Sequence, residues 1–102
     1  DPGLSGQYRI ALGENPDEST NYAGFVKIER QGDAYLLAWF TPGPNPTAIG
    51  VGVRQGDILA VAYGPSLKKV GIIAYAIKGD RLEGLWTSGT KRLGEEILTP
   101  AP

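Results

Sequence analysis

Apolar and polar positions alternate along several short runs of the chain, and no segment sustains the period of about 3.6 residues expected of an amphipathic helix. The run Gly6–Leu12 puts Tyr8, Ile10 and Leu12 on one side and Gln7 and Arg9 on the other. A second pattern is repeated. QGDAYLLAWF (Gln31–Phe40), QGDILAVAYG (Gln55–Gly64) and KGDRLEGLWT (Lys78–Thr87) share a Gly-Asp pair that recurs after 24 and then 23 residues. Gly-Asp between alternating runs predicts a two-residue type II′ hairpin turn, with glycine supplying the positive φ at the first central position.

Such a turn fixes register, so cross-strand partners follow by counting. Ile28 faces Leu37 and Val26 faces Trp39 in the first hairpin; Gly52 faces Val61 and Gly50 faces Tyr63 in the second. The third pairs Ile77 with Leu82, Tyr75 with Gly84 and Ile73 with Trp86. Large residues thus meet small ones (Tyr63 over Gly50, Tyr75 over Gly84), as a tightly curved interior requires. With Gly6–Leu12 as the first strand and Glu95–Thr99 as the last, the chain reads as an all-β, eight-stranded antiparallel up-and-down meander barrel with little or no helix. A two-sheet β-sandwich is the alternative. Residues 1–102 form one domain. The Gly-Asp turns close one rim, and four longer loops (Gly13–Thr20, Thr41–Thr47, Gly64–Lys69, Ser88–Gly94) form the opposite mouth, where function usually resides.

The motifs G-x-Y (Gly6, Tyr8), N-P-D (Asn15–Asp17), Y-x-G-x-V-x-I (Tyr22–Ile28), G-D-x-Y-x-x-x-W (Gly32–Trp39), Gly50–Gly64, L-x-G-x-W (Leu82–Trp86) and G-x-E (Gly94, Glu96) run nearly the whole length. In this series the chain resembles a group of small, uncharacterised exported bacterial β-domains, most of which follow a signal peptide. The resemblance implies a periplasmic or secreted location and carries no activity with it. In that group N-P-D is often followed by glycine, where Glu18 stands here. The shape is similar to lipocalin and avidin barrels by fold analogy only.

Composition narrows the chemistry. There is no cysteine, histidine or methionine, which removes disulfides, thiolate chemistry, the commonest general base and the usual haem ligands. No cofactor or metal is expected. A net charge of −1 without a basic stripe argues against nucleic acid, and no apolar run is long enough to span a bilayer. The absence of an initiator methionine suggests a processed or trimmed chain, and Asp1-Pro2-Gly3 would suit a mature N-terminus after signal cleavage.

Four aromatic residues, Tyr22, Trp39, Tyr63 and Trp86, are expected to point inward toward the mouth. They either plug the barrel or line a pocket for an apolar or sugar-like ligand. Arg30, opposite Tyr35 on the inward face near the tight rim, reads as a structural cation that snorkels outward. Glu14, Asn15, Asp17 and Glu18 could hold calcium but lack EF-hand spacing, and read as a solvated loop. Lys68, Lys69, Lys91 and Arg92 read as scattered surface charge. On the outer wall Ile49, Val51, Val53, Ile58, Ala60 and Ala62 make a nearly uncharged patch, continued by Leu36, Ala38, Ala74 and Ala76. That suggests either a homodimer or partner surface through the central hairpin, or a face buried inside a sandwich.

The leading functional reading is a non-enzymatic exported module that binds a small ligand or a protein through its mouth loops or apolar wall. An inhibitor presenting the proline-rich Thr41–Thr47 loop to another enzyme is the alternative. A carboxylate-based hydrolase ranks last: Asp17 with Glu18 and Glu95 with Glu96 are sequence neighbours expected at exposed or strand-edge positions, and strand neighbours point to opposite faces.

Overall fold

A computed structural model describes residues 2–15, 21–41, 43–64, 70–89 and 92–101. Eight strands pair in sequence order and close on themselves: β1 (Gly6–Gly13), β2 (Phe25–Gln31), β3 (Ala34–Phe40), β4 (Ala48–Gln55), β5 (Ile58–Gly64), β6 (Gly71–Lys78), β7 (Arg81–Thr87) and β8 (Gly94–Pro100). β1 and β8 make the closing pair, so the barrel has no free edge. The two-sheet sandwich is thereby excluded.

Each of the three hairpins has the register that its Gly-Asp turn dictates: Val26 opposes Trp39, Gly50 opposes Tyr63, and Tyr75 opposes Gly84. The turn glycines Gly32, Gly56 and Gly79 have φ of 62°, 59° and 66°, and no non-glycine residue described has positive φ. One positive φ followed by an ordinary Asp is the type II′ signature. Arg30 and Arg54 precede two of these glycines by the same interval, and each returns its Nε–H to the glycine carbonyl, 3.0 Å away. Both arginines are exposed, and Arg30 lies opposite Tyr35 as expected.

Two features were not legible. A short 3-10 turn (Pro2–Leu4) brings Leu4 into the core at the tight rim, where the Tyr8 hydroxyl donates to the Leu4 carbonyl at 3.0 Å. A register shift in the β1–β8 pair between Ile10 and Leu12 corrects the first strand. Tyr8 and Ile10 are buried, but beyond the shift Leu12 opposes the outward Ile97, and Gly13 takes the inward position opposite Glu96. An extra residue in one strand reverses the facing of all that follow.

The core is formed by inward residues of all eight strands, including Val26, Ile28, Leu37, Leu59, Tyr75, Leu82 and Leu98. Four large rings lie against a glycine on a neighbouring strand. Tyr63 covers Gly71, Tyr75 covers Gly84, Trp86 covers Gly94 and Tyr22 covers Gly13. Tyr63 opposes Gly50 in register, yet only its Cβ approaches that glycine, and its ring leans over Gly71 instead. A Cβ at Gly84 would stand 2.8 Å from the Tyr75 ring, which is completely buried and has no room to retreat. Gly84→Ala is therefore expected to cost about 1–3 kcal/mol, seen as a lower urea midpoint with unchanged slope; an unchanged midpoint would contradict the packing.

Candidate functional site

The four mouth aromatics come together in the structure. Trp39 and Tyr63 have ring centroids 5.5 Å apart, Tyr63 and Trp86 6.1 Å, and Tyr22 and Trp86 6.1 Å, with the last two pairs edge to face. Trp39, Tyr63 and Trp86 arrive on β3, β5 and β7 as inward residues near the mouth ends of those strands. Tyr22 precedes β2. Its N–H donates to the Gly13 carbonyl at 3.0 Å, next to an isolated bridge between Glu14 and Asn21, so the returning chain lays its ring on the inward Gly13. Beneath the proline-rich loop, the Thr41 and Thr47 hydroxyls lie 2.7 Å apart, and the Thr47 N–H donates to the Trp39 carbonyl at 2.7 Å.

The rings do not fill the barrel completely. A cavity of about 220 Å³ opens at the mouth, lined by the four aromatics together with Thr41, Thr47, Ala48, Ile73, Asn15 and Glu96. Below it buried side chains pack into one hydrophobic cluster.

Glu96 is the residue that sequence reasoning misplaced. It is not at an exposed or strand-edge position: it is 1% exposed and is the one charged residue in the core among those described. Glu95 is exposed, as strand alternation requires. Glu96 accepts hydrogen bonds from three aromatic residues on three other segments. The Tyr22 hydroxyl donates to Oε1 at 2.7 Å, the Trp39 indole N–H donates to Oε2 at 3.2 Å, and the Tyr75 hydroxyl donates to the same Oε2. The signal was present in the strand: Leu98 is apolar, and Gly94 and Glu96 share its parity.

Burial pushes the Glu96 carboxyl above its ordinary value of 4.5, and the three donated hydrogen bonds only partly offset this. The neighbouring phenols respond in kind. Burial and then the Glu96 charge raise Tyr22 and Tyr75, and the same two causes push Tyr63 up to about 12. All three phenols are therefore neutral and able to donate. Three buried donors have no hydrogen-bond partner among the described residues: the Thr99 hydroxyl on β8 and, at the mouth, the Tyr63 hydroxyl, pressed on Gly71, and the Trp86 indole N–H, pressed on Gly94.

The outer-wall residues Ile49, Val51, Val53, Ile58, Ala60 and Ala62 are all exposed. Ile72 on β6 and Leu85 on β7, at 61% and 52% exposure, enlarge the patch. Two open grooves of about 580 and 730 Å³ share Val51 and Ala62. Both are larger than the mouth cavity, but their charged lining, Lys27 and Glu29 in the larger one, is solvent-exposed, whereas the mouth holds the buried Glu96. Arg92 is exposed; Asp17, Glu18, Lys68, Lys69 and Lys91 lie outside the described residues. Among the described residues no cluster of three metal-ligating side chains occurs.

No family model matches the chain, and no curated protein sequence matches it. Among solved structures, a mutant of the fluorescent protein UnaG is similar, with TM-score 0.62 and 14% identity over 98% of this chain and 97% of that one. The likeness shows the fold and leaves the site to be judged on its own geometry.

The pH response of Glu96 is testable. A raised folded-state pKa means that folding retains a proton which the unfolded chain has released. The stability from neutral Glu96 is then fully present below the unfolded value of 4.5 and is lost as pH rises through the folded value. Urea titrations stepped from about pH 4 to about pH 8 should show wild type losing stability relative to Glu96→Gln. Parallel pH profiles would show that Glu96 titrates normally.

Proposed function

We propose that the protein is a non-enzymatic, exported small-ligand-binding barrel whose ligand occupies the mouth cavity. One observation carries this reading: four aromatic rings and a buried carboxylate converge on a space of about 220 Å³ above the buried hydrophobic cluster. A site that only closed the barrel would need no space, and apolar walls with few placed polar groups are the usual form of a ligand pocket. The motif resemblance supports export. The case against catalysis is chemical. Glu96 is the only carboxylate lining the cavity among the described residues, and hydrolysis by carboxylates needs a second one on the opposite side of the reacting bond.

Ala48 lies at the cavity wall and is only half-buried, so a larger side chain can be placed there without opening the core. Ala48→Phe is expected to keep the fold while abolishing two responses of wild type: retention of a co-purified small molecule in native mass spectrometry, and a shift of Trp39 and Trp86 emission on ligand addition. Equal retention by wild type and Ala48→Phe would place the ligand elsewhere.

A second reading concerns the wall. Ile49, Val51 and Val53 on β4 and Ile72 on β6 are 57–61% exposed, with the β5 alanines between them and no charge inside the patch. The opposite side of the barrel exposes Arg9 and Glu95, while Lys27 and Glu29 border the patch beyond Ala38 and Leu36. An uncharged, self-complementary sheet face fits a second copy of the same chain better than a charged partner. Sedimentation should show a dimer that Val51→Lys dissociates; a wild-type monomer at high protein concentration would eliminate this reading.

A further inference from the structure

Resting on the mouth-cavity reading, we infer that the ligand is a small organic cation of the quaternary or fully methylated ammonium class, held by the aromatic lining within the field of Glu96. The charge argument comes first. Glu96 has three donors and no cation: its contacts are two phenols and an indole, and no lysine or arginine lines the cavity among the described residues. The groups facing it from the surrounding elements are Tyr22 before β2, Trp39 on β3, Tyr63 on β5 and Tyr75 on β6, all neutral. A buried acid set among donors is arranged to hold negative charge, and no compensating positive charge stands beside it among the described residues. A cation in the cavity would supply it, whereas an anion would be repelled.

The hydrogen-bond count narrows the class. A carboxylate offers about four lone-pair sites, and three are taken. With 1% of its surface accessible, Glu96 has little left to offer a primary ammonium, which brings three N–H donors that each need an acceptor. A trimethylammonium group brings none. It needs a negative field and electron-rich rings around it, and rings tilted 50–76° to one another offer faces as well as edges. Both requirements are met without moving Glu96 from its partners.

The test compares choline with its uncharged carbon isostere, in which a tert-butyl group replaces trimethylammonium, by Trp fluorescence and calorimetry on the wild-type chain. Shape is the same and only charge differs. Choline is expected to bind at least about tenfold more tightly, as a desolvated cation–ring and cation–carboxylate contact allows. Because choline does not titrate, its affinity should rise with pH through the Glu96 titration, and Glu96→Gln should abolish both that dependence and the preference for charge. If Glu96→Gln fails to fold, the isostere ratio and pH profile of wild type decide alone. Equal affinities for the two compounds would overturn the cation inference and leave the mouth-cavity reading standing. If neither compound perturbs Trp39 or Trp86, the cation inference is overturned, while the mouth-cavity reading stands or falls on the Ala48→Phe comparison.

Discussion

The interior of an eight-stranded barrel is only just wide enough for its own side chains, and this constraint shapes the whole molecule. Four of the inward rings lie on a glycine from a neighbouring segment: Gly71 under Tyr63, Gly84 under Tyr75, Gly94 under Trp86, Gly13 under Tyr22. Three of these glycines belong to the next strand along the chain, so the rings on β5, β6 and β7 lean the same way around the barrel. The β1–β8 register shift belongs to the same scheme, because it turns Gly13 inward to receive Tyr22.

Among these rings stands a single buried carboxylate. Glu96 ties β8 to the Tyr22 segment, to β3 and to β6 through hydrogen bonds that run across the barrel rather than along its sheet. Those bonds cross the floor of the mouth and hold Tyr22 and Trp39 where they bound an open space. An apolar residue at Glu96 would leave three buried donors without an acceptor, each at a cost of about 1–3 kcal/mol. The arrangement is coherent as a unit, and a hydrophobic plug would have closed the barrel more simply.

Much of this was legible in the sequence because Gly-Asp is a strong register mark. Once the three turns are placed, the inward direction of Trp39, Tyr63 and Trp86 and the outward direction of Val51 and Ala62 follow by parity, and the structure agrees. The outer segments carry no such mark, and the failures lie there. Alternation carried through Ile10-Ala11-Leu12 points Leu12 inward, and nothing in those three residues announces the irregularity that turns it outward. Glu96 was read as peripheral because a carboxylate in a short terminal strand is ordinarily solvated. Parity with Leu98 points Glu96 inward, but what makes that position tenable is the convergence of Tyr22, Trp39 and Tyr75 from residues 74, 57 and 21 positions away, a tertiary fact that strand parity does not announce. The cavity is of the same kind, since the side chains that point inward can be named from parity while the space left between them cannot.

The pairing of Tyr8 with Pro100, extended by the Ala101 N–H donating to the Gln7 carbonyl at 2.8 Å, brings the two described ends of the chain side by side at the rim of the Gly-Asp turns. Any further polypeptide or anchor joined to either end would leave from that closed face. The barrel would then be carried with its aromatic opening directed away from its attachment, like a cup held by its base, and its accessibility to solutes would not depend on what it is attached to.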